Sequence, residues 1–167
     1  DALSIELEFD PRINFAVQQN AVPVVRLLRL TNLSGETLKD IVVTIRLEPE
    51  YANEWSSKVQ MLAAGTSHTF DTVMLDLSPQ KLAMLEERFG GKLRLSVISG
   101  EKALLAESHS VEFLAFNEWS GVTSPPELLA AFVQPNHPAT RNLLTNARIH
   151  LATLAGDSSF SGYQQKD

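Results

Sequence analysis

Apolar side chains take every second position in the segment from residue 40 to 48, which reads DIVVTIRLE. A period of two is typical of a β-strand with one buried and one exposed face. A polar turn with Asn32, Ser34 and Gly35 precedes this segment, and a β-rich run from Val24 to Leu30 precedes the turn. Two such strands around a short turn predict a β-hairpin. The alternating apolar residues are Ile41, Val43, Ile45 and Leu47.

The same alternation recurs along the first 116 residues. The turns Ala64-Gly65 and Gly100-Glu101 separate neighbouring runs. Roughly seven short strands with turn residues between them are typical of an immunoglobulin-like sandwich. We therefore predict a mainly β fold, namely an immunoglobulin-like two-sheet β-sandwich. The further strands are predicted at residues 3–9, 59–62, 70–75, 93–97 and 105–116.

One segment inside this region has helical spacing. Ser78 is a predicted N-cap, Pro79 takes the first helical position, and Leu82, Leu85 and Phe89 fall on one helical face. The two glycines at residues 90–91 are predicted to end the helix. We expect a short helix that crosses between the two sheets.

The spacing changes again after residue 116. Ser124 and Glu127 form a capping-box pattern around two prolines and predict a first helix. The sequence QPNHP interrupts that helix, and a longer helix is predicted from about Pro138. The predicted organisation is an immunoglobulin-like β-sandwich over residues 1–116 and a C-terminal helical extension or linker over residues 117–167.

Composition and charge narrow the function classes. Hydrophobic residues make up 44% and charged residues 20% of the 167 residues, and there is no cysteine, so a packed core is expected while disulfides and thiolate zinc sites are excluded. The net charge is −6, and acidic residues outnumber basic ones in both predicted parts. Nucleic-acid binders normally present a basic face to phosphate, so we expect no direct nucleic acid binding. No apolar run is long enough to span a bilayer, so no membrane partner is expected.

Candidate patterns for catalysis or metal binding are incomplete. The GGK sequence ending at Lys92 lacks the spacing and the following Ser or Thr of a phosphate loop. The four histidines show neither i, i+4 helical spacing nor an H-E-x-x-H motif. Ser67-His68 lacks the G-x-S-x-G context of a nucleophile, and His109 is predicted to be a partly buried, hydrogen-bonded histidine. We predict no catalytic, cofactor-binding or metal-binding residue, no cofactor, and no enzymatic activity.

An aromatic-rich segment, residues 113–138, lies where strand spacing gives way to helical spacing. Aromatic side chains are overrepresented in protein interfaces, so this segment is a candidate for docking a following domain. The alternative is that Trp119 and Phe132 pack the helices against the sandwich. The predicted interdomain interface consists of Phe116, Trp119, Phe132, Val133 and Pro135.

Several stretches resemble one protein family. They are INFAVQQNAVPVVRLLRLTN at residues 13–32, LAFNEWSG at 114–121, PELLAAFVQPNHP at 126–138 and the terminal GYQQKD. They resemble the N-terminal region of large bacterial multidomain proteins that combine a transglutaminase-like domain with a superfamily 1 DNA helicase core. In such proteins the ATP-binding loop and the transglutaminase-like Cys and His lie downstream, so no catalytic residue carries over to this chain. The resemblance implies a DNA-processing or phage-defence context in the bacterial cytoplasm.

Three hypotheses follow from these patterns. The chain starts with Asp1 rather than Met, and we expect a piece of a longer protein. The first hypothesis is a non-catalytic structural and interaction module that positions or regulates the downstream domains of its parent chain, which are its expected partners; the oligomeric state is left open. The alternative is an extracellular or periplasmic adhesive or ligand-binding β-sandwich domain. The third is a small hydrolase or ligand-binding sandwich, which requires a deep polar pocket where a histidine and a carboxylate are in contact.

Overall fold

Two β-sheets make up most of the computed structural model of the protein, which describes residues 2–118 and 138–155. The chain divides into two compact units, residues 1–132 and 133–167. The mainly β character predicted from the alternation is confirmed. The strands are β1 (Leu3–Phe9), β2 (Arg12–Ile13), β3 (Val25–Asn32), β4 (Leu38–Glu48), β5 (Trp55–Leu62), β6 (Ser67–Thr69), β7 (Phe89–Ser99) and β8 (Lys102–Phe113). The helices are α1 (Phe15–Gln19), α2 (Pro79–Ala83) and α3 (Pro138–Ala155).

The strands form one sheet of three and one sheet of five. The smaller sheet has the order β1-β3-β6, and the larger sheet has the order β2-β8-β7-β4-β5. All pairings are antiparallel except that of β2 with β8, which is parallel. The predicted hairpin at Gly100 is confirmed as the turn between β7 and β8, where a φ of 58° suits glycine.

The hydrophobic core draws residues from both sheets. The predicted inward residues of β4 are buried, with Ile41, Val43 and Ile45 fully inaccessible to water. Leu28 and Leu30 of β3 belong to the same buried cluster from the other sheet. Full burial of such a side chain contributes about 1.5–3 kcal/mol, so the alternation in β4 supplies much of the stability of the sandwich-like body.

The hairpin predicted between the Val24–Leu30 run and the strand from Ile41 is wrong. β3 pairs with β1 and β6, whereas β4 pairs with β5 and β7 in the other sheet. Asn32 explains the difference, because its buried side chain donates from Nδ2 to the carbonyl of Leu62 in β5 at 2.9 Å. The turn after Asn32 therefore carries the chain from one sheet to the other.

The predicted crossover helix is present but shorter than expected. Ser78 is the N-cap and Pro79 the first residue of α2, which ends at Ala83. The two glycines do not end this helix, because they lie in β7 and pair with β8. A Cβ on Gly91 would lie 2.5 Å from a ring carbon of Phe113 and 2.6 Å from the carbonyl oxygen of Glu48. Close packing of backbone against core therefore explains this glycine.

The strand predicted at residues 70–75 is also wrong. In this part of the chain the strand, β6, covers only Ser67–Thr69, which pair with β3, and residues 70–76 have irregular backbone. Val73 and Leu75 are still buried while Met74 is partly exposed, so the apolar alternation reflects burial without a strand partner. The strand predicted to reach residue 116 ends at Phe113.

The two helices predicted after residue 116 have different outcomes. A helix from Pro138 is confirmed as α3, in which Leu143 and Leu154 are exposed. The helix predicted near Ser124 lies outside the described residues. Among the helices in residues 2–118 and 138–155, none combines the length and apolar character needed to cross a membrane.

Candidate interaction surface

The chain leaves the β-rich body through residues 114–118, and a set of hydrogen bonds fixes this exit. The amide of Leu114 donates to the carbonyl of Ile13 at 2.9 Å, and the amide of Phe116 donates to the carbonyl of Leu85 at 2.7 Å. The amide of Glu118 donates to the carbonyl of Ala115 at 3.0 Å. The exit is thereby held against both β2 and the loop that follows α2.

Asn14 anchors the exit from the other side. Its buried side chain caps α1, because Oδ1 accepts from the amide of Val17 at 3.0 Å. Its Nδ2 donates to the carbonyl of Glu118 at 2.8 Å. One amide side chain therefore fixes both the start of α1 and the position from which the chain continues. The sequence analysis did not predict α1, although Asn14 before an apolar pair is an N-cap signal.

Two exposed apolar side chains lie beside this exit. Phe116 is 44% exposed and Met84 is 80% exposed. The backbone bond between Phe116 and Leu85 makes the two segments neighbours, because Met84 directly precedes Leu85. The carboxylate of Glu118 forms an ion pair with Arg88 at the border of this patch. We call Met84, Leu85, Arg88, Phe116 and Glu118 the junction surface.

The junction surface has the chemistry of a protein contact. Phenylalanine is a common interface anchor, and methionine adapts its flexible thioether side chain to different partners. The polar border formed by Arg88 and Glu118 resembles the rim that surrounds the apolar centre of many interfaces. The site therefore combines exposed apolar area with a polar border.

The structure places only one residue of the predicted interdomain interface. Phe116 belongs to the junction surface, whereas Trp119, Phe132, Val133 and Pro135 lie outside the described residues. Sequence reasoning missed Met84 and Arg88, because their approach to Phe116 depends on tertiary structure. The exposure of Met84 could have been predicted, because this residue does not belong to the apolar helical face of Leu82, Leu85 and Phe89.

A histidine and a carboxylate are in contact elsewhere in the sandwich. Nε2 of His109 lies 2.9 Å from Oε2 of Glu107, and His109 is partly buried. Both residues lie on β8, two positions apart, at the margin of the sheet. Four cavities of about 260, 280, 310 and 560 Å³ are lined by other residues. None of these four cavities is lined by Glu107 or His109.

Three of these cavities adjoin one another at the end of the body that holds α1 and α2. Asp76 lines the cavities of 280 and 310 Å³, and Asn53 lines those of 310 and 260 Å³. The side chains of Asp76 and Asn53 are hydrogen bonded to each other, and Arg46 in the cavity of 260 Å³ pairs with Glu54 at 3.1 Å. The largest of these four cavities lies at the opposite end of β8, beside Ala2, where the described chain begins. Across residues 2–118 and 138–155, no group of three or more His, Cys, Asp or Glu is placed to hold a metal ion.

Comparison with known proteins leaves the family of the chain open. No protein-family model matches the chain, and no curated protein matches it.

Proposed function

We propose that this chain is a non-catalytic structural and interaction module of a large bacterial helicase-related protein. The module positions or regulates the downstream domains of that protein, which has a DNA-processing or phage-defence role in the bacterial cytoplasm. The chain itself does not bind nucleic acid. The resemblance of residues 13–32, 114–121 and 126–138 to the N-terminal region of such proteins supports the context, and the junction surface supports the role.

Within this proposal the body is an immunoglobulin-like sandwich. β1, β3 and β6 correspond in order to strands A, B and E, and β4, β5, β7 and β8 correspond to strands C, C′, F and G. α2 then lies in the connection from E to F. The support is the order of strands within each sheet: β1-β3-β6 corresponds to A-B-E, and β8-β7-β4-β5 corresponds to G-F-C-C′.

The position of the junction surface is the observation that carries the proposal. Phe116 and Met84 remain exposed at the point where the chain leaves the β-rich body. A domain joined to this chain by a linker is present at a raised effective concentration, which strengthens any contact made at the exit. Exposed apolar patches on soluble proteins frequently mark such contacts.

The test uses the 167-residue chain and the remaining domains of the parent protein as separate molecules. We expect them to associate, and we expect Met84→Ser with Phe116→Ser to weaken the association by about 2 kcal/mol or more, roughly 30-fold in Kd. Isothermal titration calorimetry measures the Kd directly. In the intact parent, the same substitutions should change the DNA-stimulated ATPase rate.

A matched variant controls for the general loss of apolar surface. Met61 is 65% exposed and Ile98 is 39% exposed, and both lie on the larger sheet away from the exit. Met61→Ser with Ile98→Ser should leave the Kd unchanged. The proposal is wrong if the two molecules do not associate and deletion of the chain leaves the parent activity intact.

A further inference from the structure

The outer edge of β8 has features that oppose pairing with another strand. β8 pairs with β7 from Lys102 to Phe113, whereas β2 pairs with it on the other side only at Glu112 and Phe113. Within residues 2–118 and 138–155, no further strand pairs with that side. An edge strand with free N–H and C=O groups is a template for pairing with another chain.

The bonds to β2 show which backbone groups of β8 point away from β7. The amide of Glu112 donates to the carbonyl of Pro11 at 2.7 Å, so it points away from β7. Along an antiparallel strand the direction of these groups alternates from residue to residue. Ala106, Ser108 and Ser110 therefore also direct their backbone groups away from β7, to the side on which no further strand pairs within residues 2–118 and 138–155.

Two polar residues alternate with Ala106, Ser108 and Ser110 along β8 and take the positions that face the core. Glu107 and His109 face inward, and they lie opposite Leu95 and Leu93 of β7, which are fully buried apolar residues. The side chains of Glu107 and His109 remain 36% and 32% exposed. His109 also packs against the ring of Phe9, with ring centroids 5.4 Å apart. The pair thus lies at the margin of the core and keeps contact with water on its outer side.

A strand added to β8 would remove that water. The side chains of Glu107 and His109 would then lie between two strands, with buried leucines on one side. Burying a carboxylate is strongly unfavourable unless charged partners and hydrogen bonds compensate fully. The contact of His109 with Phe9 limits the freedom of the imidazole to turn outward.

We propose that Glu107 and His109, which we call the guard pair, prevent strand addition at the edge of β8. Two other features act in the same direction. A register shift opposite Val97 and Ile98 interrupts the ladder near the start of β8, and β2 covers its end. Bulges and inward-pointing charges are known ways in which sheets protect their edges. This inference does not depend on the proposed function.

The test replaces the guard pair in the full chain with Glu107→Val and His109→Val. The molar mass is measured by size-exclusion chromatography with light scattering over a series of concentrations. We expect the mass to rise at least two-fold at concentrations where the original chain keeps a constant mass. The control, Ser108→Val with Ser110→Val, adds the same two valines to the solvent-exposed face of β8 and should leave the molar mass unchanged.

A third variant tests the route of association. Ser108→Pro removes an outward N–H and leaves the bonds between β7 and β8 intact, so it should return the guard-pair variant to its original mass. If circular dichroism shows that the guard-pair variant is unfolded, the same measurements are made on the single variant Glu107→Val. A folded variant with unchanged mass, equal association of the serine control, or association that survives Ser108→Pro would each overturn the proposal.

Discussion

Replacement of Asn32 by alanine tests how the two sheets are held together. The side chain of Asn32 is fully buried and makes four hydrogen bonds. Nδ2 donates to the carbonyls of Glu36 at 2.8 Å and Leu62 at 2.9 Å. Oδ1 accepts from the amide of Ser34 at 2.9 Å and from its hydroxyl at 2.6 Å. Its backbone bonds link the same point to the turn at residues 65–66.

The size of the effect follows from the burial of each partner. The carbonyl of Leu62 would lose a buried donor, which costs about 1–3 kcal/mol. The other three bonds are partly exposed, and water replaces them at a net cost of about 0.5 kcal/mol each. We expect Asn32→Ala to lower the free energy of unfolding by about 2.5–4.5 kcal/mol, a large share of the 5–15 kcal/mol typical of a native protein.

Urea unfolding followed by circular dichroism measures this loss. With a slope of about 1.5 kcal/mol per M, the midpoint should fall by about 2–3 M. Ser34→Ala is the control, because it removes hydroxyl bonds at a partly exposed position and should cost about 1 kcal/mol at most. Asn32→Asp should also destabilise at neutral pH, since a carboxylate would face two carbonyl oxygens. If Asn32→Ala costs no more than Ser34→Ala, the assigned role of the side chain is refuted.

Two further substitutions test the core and the exit of the chain. Gly91→Ala should destabilise by about 1–3 kcal/mol, because the new methyl group would overlap a core ring and a carbonyl, whereas Gly90→Ala meets open space and should cost little; equal midpoints in urea would contradict this explanation. Asn14→Ala should cost about 1–2 kcal/mol through loss of the cap and should speed hydrogen exchange at the amides of Leu114 and Phe116. Unchanged exchange there would show that Asn14 does not anchor the exit.

Much of the β-structure is readable in the sequence because one face of each long strand is buried. The alternation of β4 is clear, since its inward residues lie in the centre of a sheet and are fully buried. The same pattern at residues 70–75 is misleading, because Val73 and Leu75 are buried by an irregular segment. Periodicity reports burial, and it predicts a strand only where a neighbouring strand supplies hydrogen bonds.

The candidate surface is less readable than the fold. Phe116 stands out as an aromatic residue at a change of spacing, but its proximity to Met84 depends on where α2 ends. α2 stops at Ala83 although helical spacing continues to Phe89, because Phe89 and the two glycines after it pair with β8. Whether such a segment forms a helix or pairs with a distant strand is decided by tertiary contacts, and these cannot be read from a single sequence.

The positions of Ala2 and Glu118 have a mechanical consequence. Ala2 lies at the start of β8 and Glu118 beyond its end, so a pull between them acts along the strands. The bonds that join β1 to β3 and β2 to β8 then share the force, instead of opening one after another as in a zipper. This geometry should make the β-rich body resist extension between Ala2 and Glu118.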